Sequence, residues 1–130
     1  MNGRIMIPML SQPLPLGSFV LPNAAILAPL AGVTDLPFRR ICAELGAGLT
    51  YVEMLSSIAL IHGNQRTREM LARHADEKIL GVQVTGPQAE GVGAAVRLLD
   101  QHGFDNIDIN MGCPVRKIVG SGSGAAFLKD

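Results

Sequence analysis

Apolar residues recur along the chain with two alternating periods. Ile26–Leu30 is a short continuous apolar run, the pattern of a buried strand. Phe38, Ile41, Cys42 and Leu45 then fall at i, i+3, i+4 and i+7, which predicts one apolar face of a helix over 36–46. Thr34 or Asp35 is placed to cap it, Pro37 suits its first turn, and Gly46 and Gly48 stop it. Leu49–Glu53 reads as a second strand. Residues 56–73 are helical in tendency but broken at Gly63, with Asn64 available as a second cap. Ile79–Val84 predicts a third strand. Pro87 opens a helix carrying Ala89, Val92, Val96 and Leu99 on one side, and Gly103 closes it. Phe104–Asn110 predicts a fourth strand, after which Gly120, Gly122 and Gly124 make a flexible stretch before a helix start at Ala125. Residues 1–25 are Pro-rich and irregular, with a short strand expected near Gly17–Val20.

The resulting order, β-α-β-α-β-α-β with short loops, calls for a parallel sheet with right-handed crossovers. An open doubly wound sheet and part of a (β/α)₈ barrel both satisfy it. A whole barrel takes about 250 residues, so four strands are half of one. The chain stops as its fourth helix begins, which suggests a fragment of a longer protein.

Composition narrows the function classes. The 130 residues are 48% apolar, enough for a core, and 17% charged, against roughly 25% in typical soluble domains. Eleven basic residues balance eleven acidic ones, whereas a self-sufficient nucleic-acid binder carries a basic excess. Pro8, Pro13 and Pro15 interrupt the apolar N-terminal stretches, and Arg4 alone supplies positive charge, a poor match to a signal peptide. No run approaches the roughly 18 apolar residues of a membrane span. Cys42 and Cys113 form no CxxC pair and no zinc spacing with histidine, so no metal site is expected. Both read as reduced thiols in a cytoplasmic protein.

Ligands of parallel α/β folds gather at the carboxyl ends of the strands. Here those ends are APLAGVTD (28–35), YVEM (51–54), VQVTG (82–86) and INMGCP (109–114), each carrying Gly, Pro or a polar side chain. Alternation places Leu80, Val82 and Val84 on the face toward helices and Gln83 on the other. In the fourth strand Ile107, Ile109 and Met111 share the apolar face, while Asp108 and Asn110 turn inward with Gln83. Buried amides need hydrogen-bond partners, and a ligand with carbonyl and N–H edges supplies them.

Plainer readings stand beside these. Gln83 ties down a loop, Asp108 bonds backbone groups or a cation, and Glu53 caps a helix after the second strand. His62, His74 and His102 lie in helical or loop contexts without ligand spacing, and Cys42 is a small core residue. The charges of QRTREMLARHADEK form a solvated face or contribute to a surface for a polyanion. GSGSG lacks both the GxGxxG and the GK[ST] phosphate patterns. Cys113 is set apart by its corner. Gly112 permits a tight turn and Pro114 biases residue 113 toward extended backbone, which puts the thiol on a loop at the strand ends. A thiol with its ordinary pKa of about 8.5 is mostly protonated at neutral pH and can protonate a carbon developing carbanion character. A nucleophilic role needs a nearby cation or histidine base, for which Arg116 and Lys117 are the near candidates, and a structural cysteine is the third option.

LAPLAGVTDLPFRRICAELGAGLTYVEM, followed by GVQVTG and DINMGCPVRKIV and then GSGAAFL, resembles the tRNA-dihydrouridine synthases in the order and spacing of the blocks, from Ile26 to Leu128. The resemblance implies an α/β fold, a partial TIM (β/α)₈ barrel comprising about the first four βα units. It divides the chain into an irregular segment 1–25 and, over 26–130, the N-terminal half of a barrel catalytic domain, with the remaining strands and a helical C-terminal domain absent. It implies an oxidoreductase that reduces uridine in tRNA to 5,6-dihydrouridine, with FMN as cofactor and NADPH as reductant. Position by position, Cys113 becomes the proton donor, Pro29, Leu30, Ala31 and Gln83 bind the flavin, and Asn110 faces the uracil.

The family's later strands carry a lysine, a histidine and phosphate-binding loops that this chain does not contain. Basic residues often follow the GCPxxK segment in the family, where Gly120–Gly124 stand here. The isolated chain is therefore expected to be inactive and to self-associate through exposed sheet edges. Two other readings compete. A flavin barrel of the dihydroorotate dehydrogenase type also pairs an Asn with a nearby Cys-Pro, although the APLAGVTDLPFRR block favours the tRNA enzymes. The other is a non-catalytic half-barrel.

Overall fold

The computed structural model describes residues 12–129; Pro8, Arg4 and the rest of the first eleven residues lie outside them. Two strands, β1 (Leu14–Leu16) and β2 (Phe19–Leu21), form an antiparallel hairpin around a turn in which Gly17 takes φ +60°. The strand expected near Gly17–Val20 thus begins at Phe19, with the glycine in the turn. Four further strands, β3 (Ile26–Leu27), β4 (Leu49–Ser56), β5 (Leu80–Thr85) and β6 (Asn106–Ile109), make one parallel sheet in the order β3-β4-β5-β6. Each strand lies beside its predecessor in sequence, with no reversal of direction around the sheet. A doubly wound sheet reverses at its switch point, so the sequential order is consistent with part of a barrel.

Helices fill the crossovers. In α1 (Leu36–Glu44) Asp35 caps the amino end, accepting a hydrogen bond from the Phe38 amide at 3.0 Å. The second crossover holds α2 (Ser57–Ile61) and α3 (Gln65–Met70), parted by Gly63 at φ +65°, with Asn64 capping α3 through the Thr67 amide. Helix α4 (Ala89–Asp100) follows Pro87 and ends before Gly103. A short α5 (Arg116–Gly120), which the sequence pattern does not predict, interrupts the stretch after Cys113, and Gly124–Lys129 closes the described chain as a 3₁₀ helix.

The core lies between the sheet and α4. Val52, Leu55, Leu80, Val82 and Val84 meet Leu60, Val92, Ala95 and Leu99, with Ile107 packed against them. Val52 and Leu55 both reach this side because β4 slips register there. Val52 pairs Val82 and Leu55 pairs Val84, so Glu53 and Met54 together oppose Gln83. The extra residue bends the strand end and frees Glu53 and Met54 from the core.

The apolar face predicted for the first helix is not core. Phe38, Ile41 and Leu45 are exposed and Cys42 is half-buried, while the one buried residue of α1 is Arg39. Its guanidinium meets Glu77, also buried, at 2.7 Å. Glu77 of QRTREMLARHADEK is thus built into the interior, while Arg66, Arg68, Glu69, Asp76 and Lys78 stay exposed as the solvated face expected of this stretch. Arg73 of the same stretch donates to the Glu77, Lys78 and Gly103 carbonyls and to Asp105.

Candidate functional site at the strand ends

The inward side of the sheet is a polar layer. Tyr51 opposes Gly81, where a Cβ would run into the tyrosine ring, so only glycine leaves room for it. The Tyr51 hydroxyl donates to Asn106 Oδ1. Burial pushes its phenol pKa above the ordinary value, and the neighbouring Asp108 carboxylate adds to the push. One step toward the carboxyl ends, Gln83 opposes Asp108 and donates to it through Nε2 at 2.5 Å. Gln83 Oε1 accepts from Asn110 Nδ2 at 3.0 Å, and Met54 Sδ lies 3.3 Å from the same nitrogen.

Asn110 builds the corner that holds the cysteine. Its Oδ1 accepts from the backbone N–H of Gly112 at 3.1 Å and of Cys113 at 2.9 Å. This is the local turn that an Asn side chain makes with residues two and three ahead. Gly112 does not take a positive φ, so the tight turn expected of it is supplied by Asn110 instead. On its other side the Cys113 carbonyl accepts from the Ala125 N–H at 3.0 Å. Gly124, at φ +59°, lies so close that a Cβ would be 2.6 Å from that carbonyl oxygen. Thr85 joins both halves, its hydroxyl donating to the Asn110 carbonyl and accepting from the Gly124 N–H. Cys113 is therefore a free, half-buried thiol on a corner fixed at both backbone ends.

The loop after β3 carries Pro29, Leu30 and Ala31. The Leu30 carbonyl accepts from the Val33 and Thr34 amides and from the Thr34 hydroxyl, which holds the loop as a closed turn. Leu30 leaves 48% of its surface exposed, and Ala31 is exposed beside it. Glu53, expected as a helix cap, instead accepts from the Gly32 N–H. The slipped end of β4 thus carries Glu53 toward the β3 loop and Met54 toward Asn110.

The geometry brings Gln83, Asp108, Asn110 and the Cys113 corner into one connected network. Pro29, Leu30 and Ala31 stand at the same end, linked to it through Glu53 and Met54. His62 and His102 take no part. A cleft of about 570 Å³ lies at the opposite end against Leu21, Gly48, Thr50 and Ile79, away from this network. Sequence reasoning missed Met54, Thr85 and Gly124, the last glycine of GSGSG. Among the described residues no cluster of three or more His, Cys, Asp or Glu is placed to hold a metal ion, and no helix is long and apolar enough to cross a membrane.

This arrangement fits a flat ring with polar edges. Exposed Leu30 offers an apolar surface, and Gln83 uses only two of the four hydrogen bonds its amide can make. One N–H and one lone pair of its amide are left without a protein partner.

Comparison with known proteins identifies a family. The dihydrouridine synthase (Dus) family model matches residues 26–130. The chain is similar to tRNA-dihydrouridine synthase B of Pasteurella multocida, 40% identical over 114 residues that cover 88% of this chain and 34% of the relative. It is also similar to tRNA-dihydrouridine synthase B of Klebsiella pneumoniae, 42% identical over 115 residues, 88% of this chain and 36% of the relative. The chain thus spans about a third of the length of these curated relatives. With the match running from the first strand of the parallel sheet through the cysteine corner, the chain belongs to the dihydrouridine synthase family.

Proposed function

We propose that the protein of which this chain forms part reduces uridine to 5,6-dihydrouridine in tRNA, in the cytoplasm, and that residues 26–130 are the first half of its (β/α)₈ barrel. The relatives' names supply the reaction. The observation that carries the site assignment is Asn110, whose side chain bonds the Cys113 N–H through one atom and Gln83 through the other. One amide therefore sets the position of an acid and of a ring-binding side chain together.

Reduced FMN, regenerated by NADPH, would supply hydride to C6 of the uracil. Pro29, Leu30 and Ala31 would lie along the flavin, and the spare N–H and lone pair of Gln83 would bind its polar edge. Hydride addition at C6 leaves negative charge on C5 and the C4 carbonyl. Cys113 gives its thiol proton to C5, forming the C–H bond as the S–H bond breaks, and the thiolate regains a proton from solvent. A placed acid of this kind typically contributes about 10²–10⁴-fold. Asn110 would face the uracil, and the base must leave its stack to reach the ring. Strands β3 and β6 are the edges at which the remaining barrel, or a second copy of the short chain, would pair.

The test uses the full-length protein. It should purify with flavin absorbance and form dihydrouridine in unmodified tRNA. Cys113→Ala should lower that rate by about 10²–10⁴-fold while leaving the flavin bound. Turnover of free dihydroorotate without action on tRNA would overturn the reading, as would a colourless protein.

A further inference from the structure

We propose that Asp108 is a positioning residue for the Cys113 corner, acting through the Gln83 and Asn110 amides. The inference rests on Cys113 as proton donor. The hydrogen-bond chain has two ends of fixed polarity. At one end stand the Gly112 and Cys113 backbone N–H groups, which only donate, 3.1 and 2.9 Å from Asn110 Oδ1. At the other stands the Asp108 carboxylate, an acceptor, 2.5 Å from Gln83 Nε2.

Between these ends lie two amides, each with one donating and one accepting side. Asn110 must turn its oxygen toward the two N–H groups, so its nitrogen faces Gln83. Gln83 must then accept from Asn110, so its own nitrogen faces residue 108. A carboxylate there completes the sequence with every side matched. Gln83 is 9% exposed, so bulk water is a poor substitute for that acceptor.

Without an acceptor at 108, nothing holds the Gln83 nitrogen there. Gln83 then keeps only its bond from Asn110, and its side chain is free to swing from the position the carboxylate fixed. Asn110 loses the fixed acceptor that sets its Nδ2, so its Oδ1 is held less firmly against the Gly112 and Cys113 N–H groups. The corner shifts without unravelling, because Ala125 still holds the Cys113 carbonyl. Asp108 touches neither Cys113 nor Asn110 in this chain of bonds; its effect passes through Gln83.

The experiment compares Asp108→Val and Asp108→Asn in the full-length holoenzyme. Valine keeps the bulk and suits a strand but offers no acceptor, whereas asparagine still presents an oxygen to Gln83. Asp108→Val should lower kcat roughly 10- to 100-fold, the scale of misplacing a reacting group by about 1 Å. The loss should be larger in kcat than in KM for tRNA, as expected where the disturbed interaction counts most in the transition state. Asp108→Asn should keep kcat within about threefold of wild type by restoring the acceptor. Equal kcat in the two variants, high or low, would overturn the proposal.

Cys113→Ala in the same assay separates the two levels of the argument. An inactive Cys113→Ala beside indistinguishable Asp108 variants removes the positioning role alone; an active Cys113→Ala removes the proton-donor reading and this inference with it. Should Asp108→Val not fold, iodoacetamide labelling of Cys113 in Asp108→Ala and Asp108→Asn gives the second measure. The alanine variant should label faster than the asparagine variant, and equal rates would overturn the proposal.

Discussion

Two buried polar clusters stand at opposite ends of the same sheet and differ in how fully they are bonded. At the amino ends, Glu77 accepts from Arg39 Nε and Nη2, from the Thr50 hydroxyl and from the His74 amide, which uses all of its carboxylate positions. Arg39 donates through four of its five N–H groups, two to Glu77 and one each to the Thr34 and Ala72 carbonyls. At the carboxyl ends, Gln83 is nearly as buried but keeps one N–H and one lone pair unused. A saturated cluster has nothing left for a ligand and serves the fold. An incompletely bonded one, held rigid by its other partners, is able to receive one. Burial alone does not distinguish them; the tally of hydrogen bonds does.

Removing a partner from the saturated cluster gives the largest expected effect on stability. Glu77→Ala leaves the Arg39 guanidinium buried without its carboxylate, at a cost of about 3–5 kcal/mol. Denaturant melts of the full-length protein should show this as a lower midpoint. A loss under about 1 kcal/mol would mean that the two clusters do not divide structure from function in this way.

The next variant acts on the open cluster. Gly124→Ala places a Cβ 2.6 Å from the Cys113 carbonyl oxygen, in a left-handed conformation that disfavours any side chain. The conformational cost is about 1–2 kcal/mol. Dihydrouridine formation should fall further than that stability loss implies, because the Cys113 corner has to move to admit the methyl group. Activity that falls only in proportion to the folded fraction would place Gly124 outside the site.

The saturated cluster was hidden in the sequence, and most of the open one was visible. Strand alternation alone puts Gln83, Asp108 and Asn110 on one face, because side chains in a strand change sides at every residue. Asn110 as the maker of the corner was not read from the sequence, which gave the turn to Gly112, although an Asn two and three residues before Gly-Cys is a turn signal. Glu77 and Arg39 are 38 positions apart, and only tertiary packing brings them together. The same packing explains why α1 buries Arg39 while the regularly spaced Phe38, Ile41 and Leu45 face outward. The slip in β4 leaves no mark in hydrophobicity, so the inward turn of Met54 and the reach of Glu53 to Gly32 appear only in three dimensions.

The smallest effect lies at the floor of the open cluster, where Tyr51 sits over Gly81 and beside Asp108. Tyr51→Phe removes the hydrogen bond to Asn106, worth about 0.5–1.5 kcal/mol, and leaves the ring packing intact. Its clearer signature is in the pH dependence. The folded protein holds the phenol pKa above the ordinary value of 10.0, first by burial and then through the Asp108 charge. The folded state therefore retains this proton at pH values where the unfolded chain has released it. The stabilisation is fully present below pH 10.0 and declines as pH rises from there through the folded-state pKa. Melts of wild type and Tyr51→Phe at rising alkaline pH should converge as that contribution disappears from the wild type alone. A constant gap between the two across that range would show that Tyr51 ionises as easily in the fold as out of it, and that the floor of the cluster is open to water.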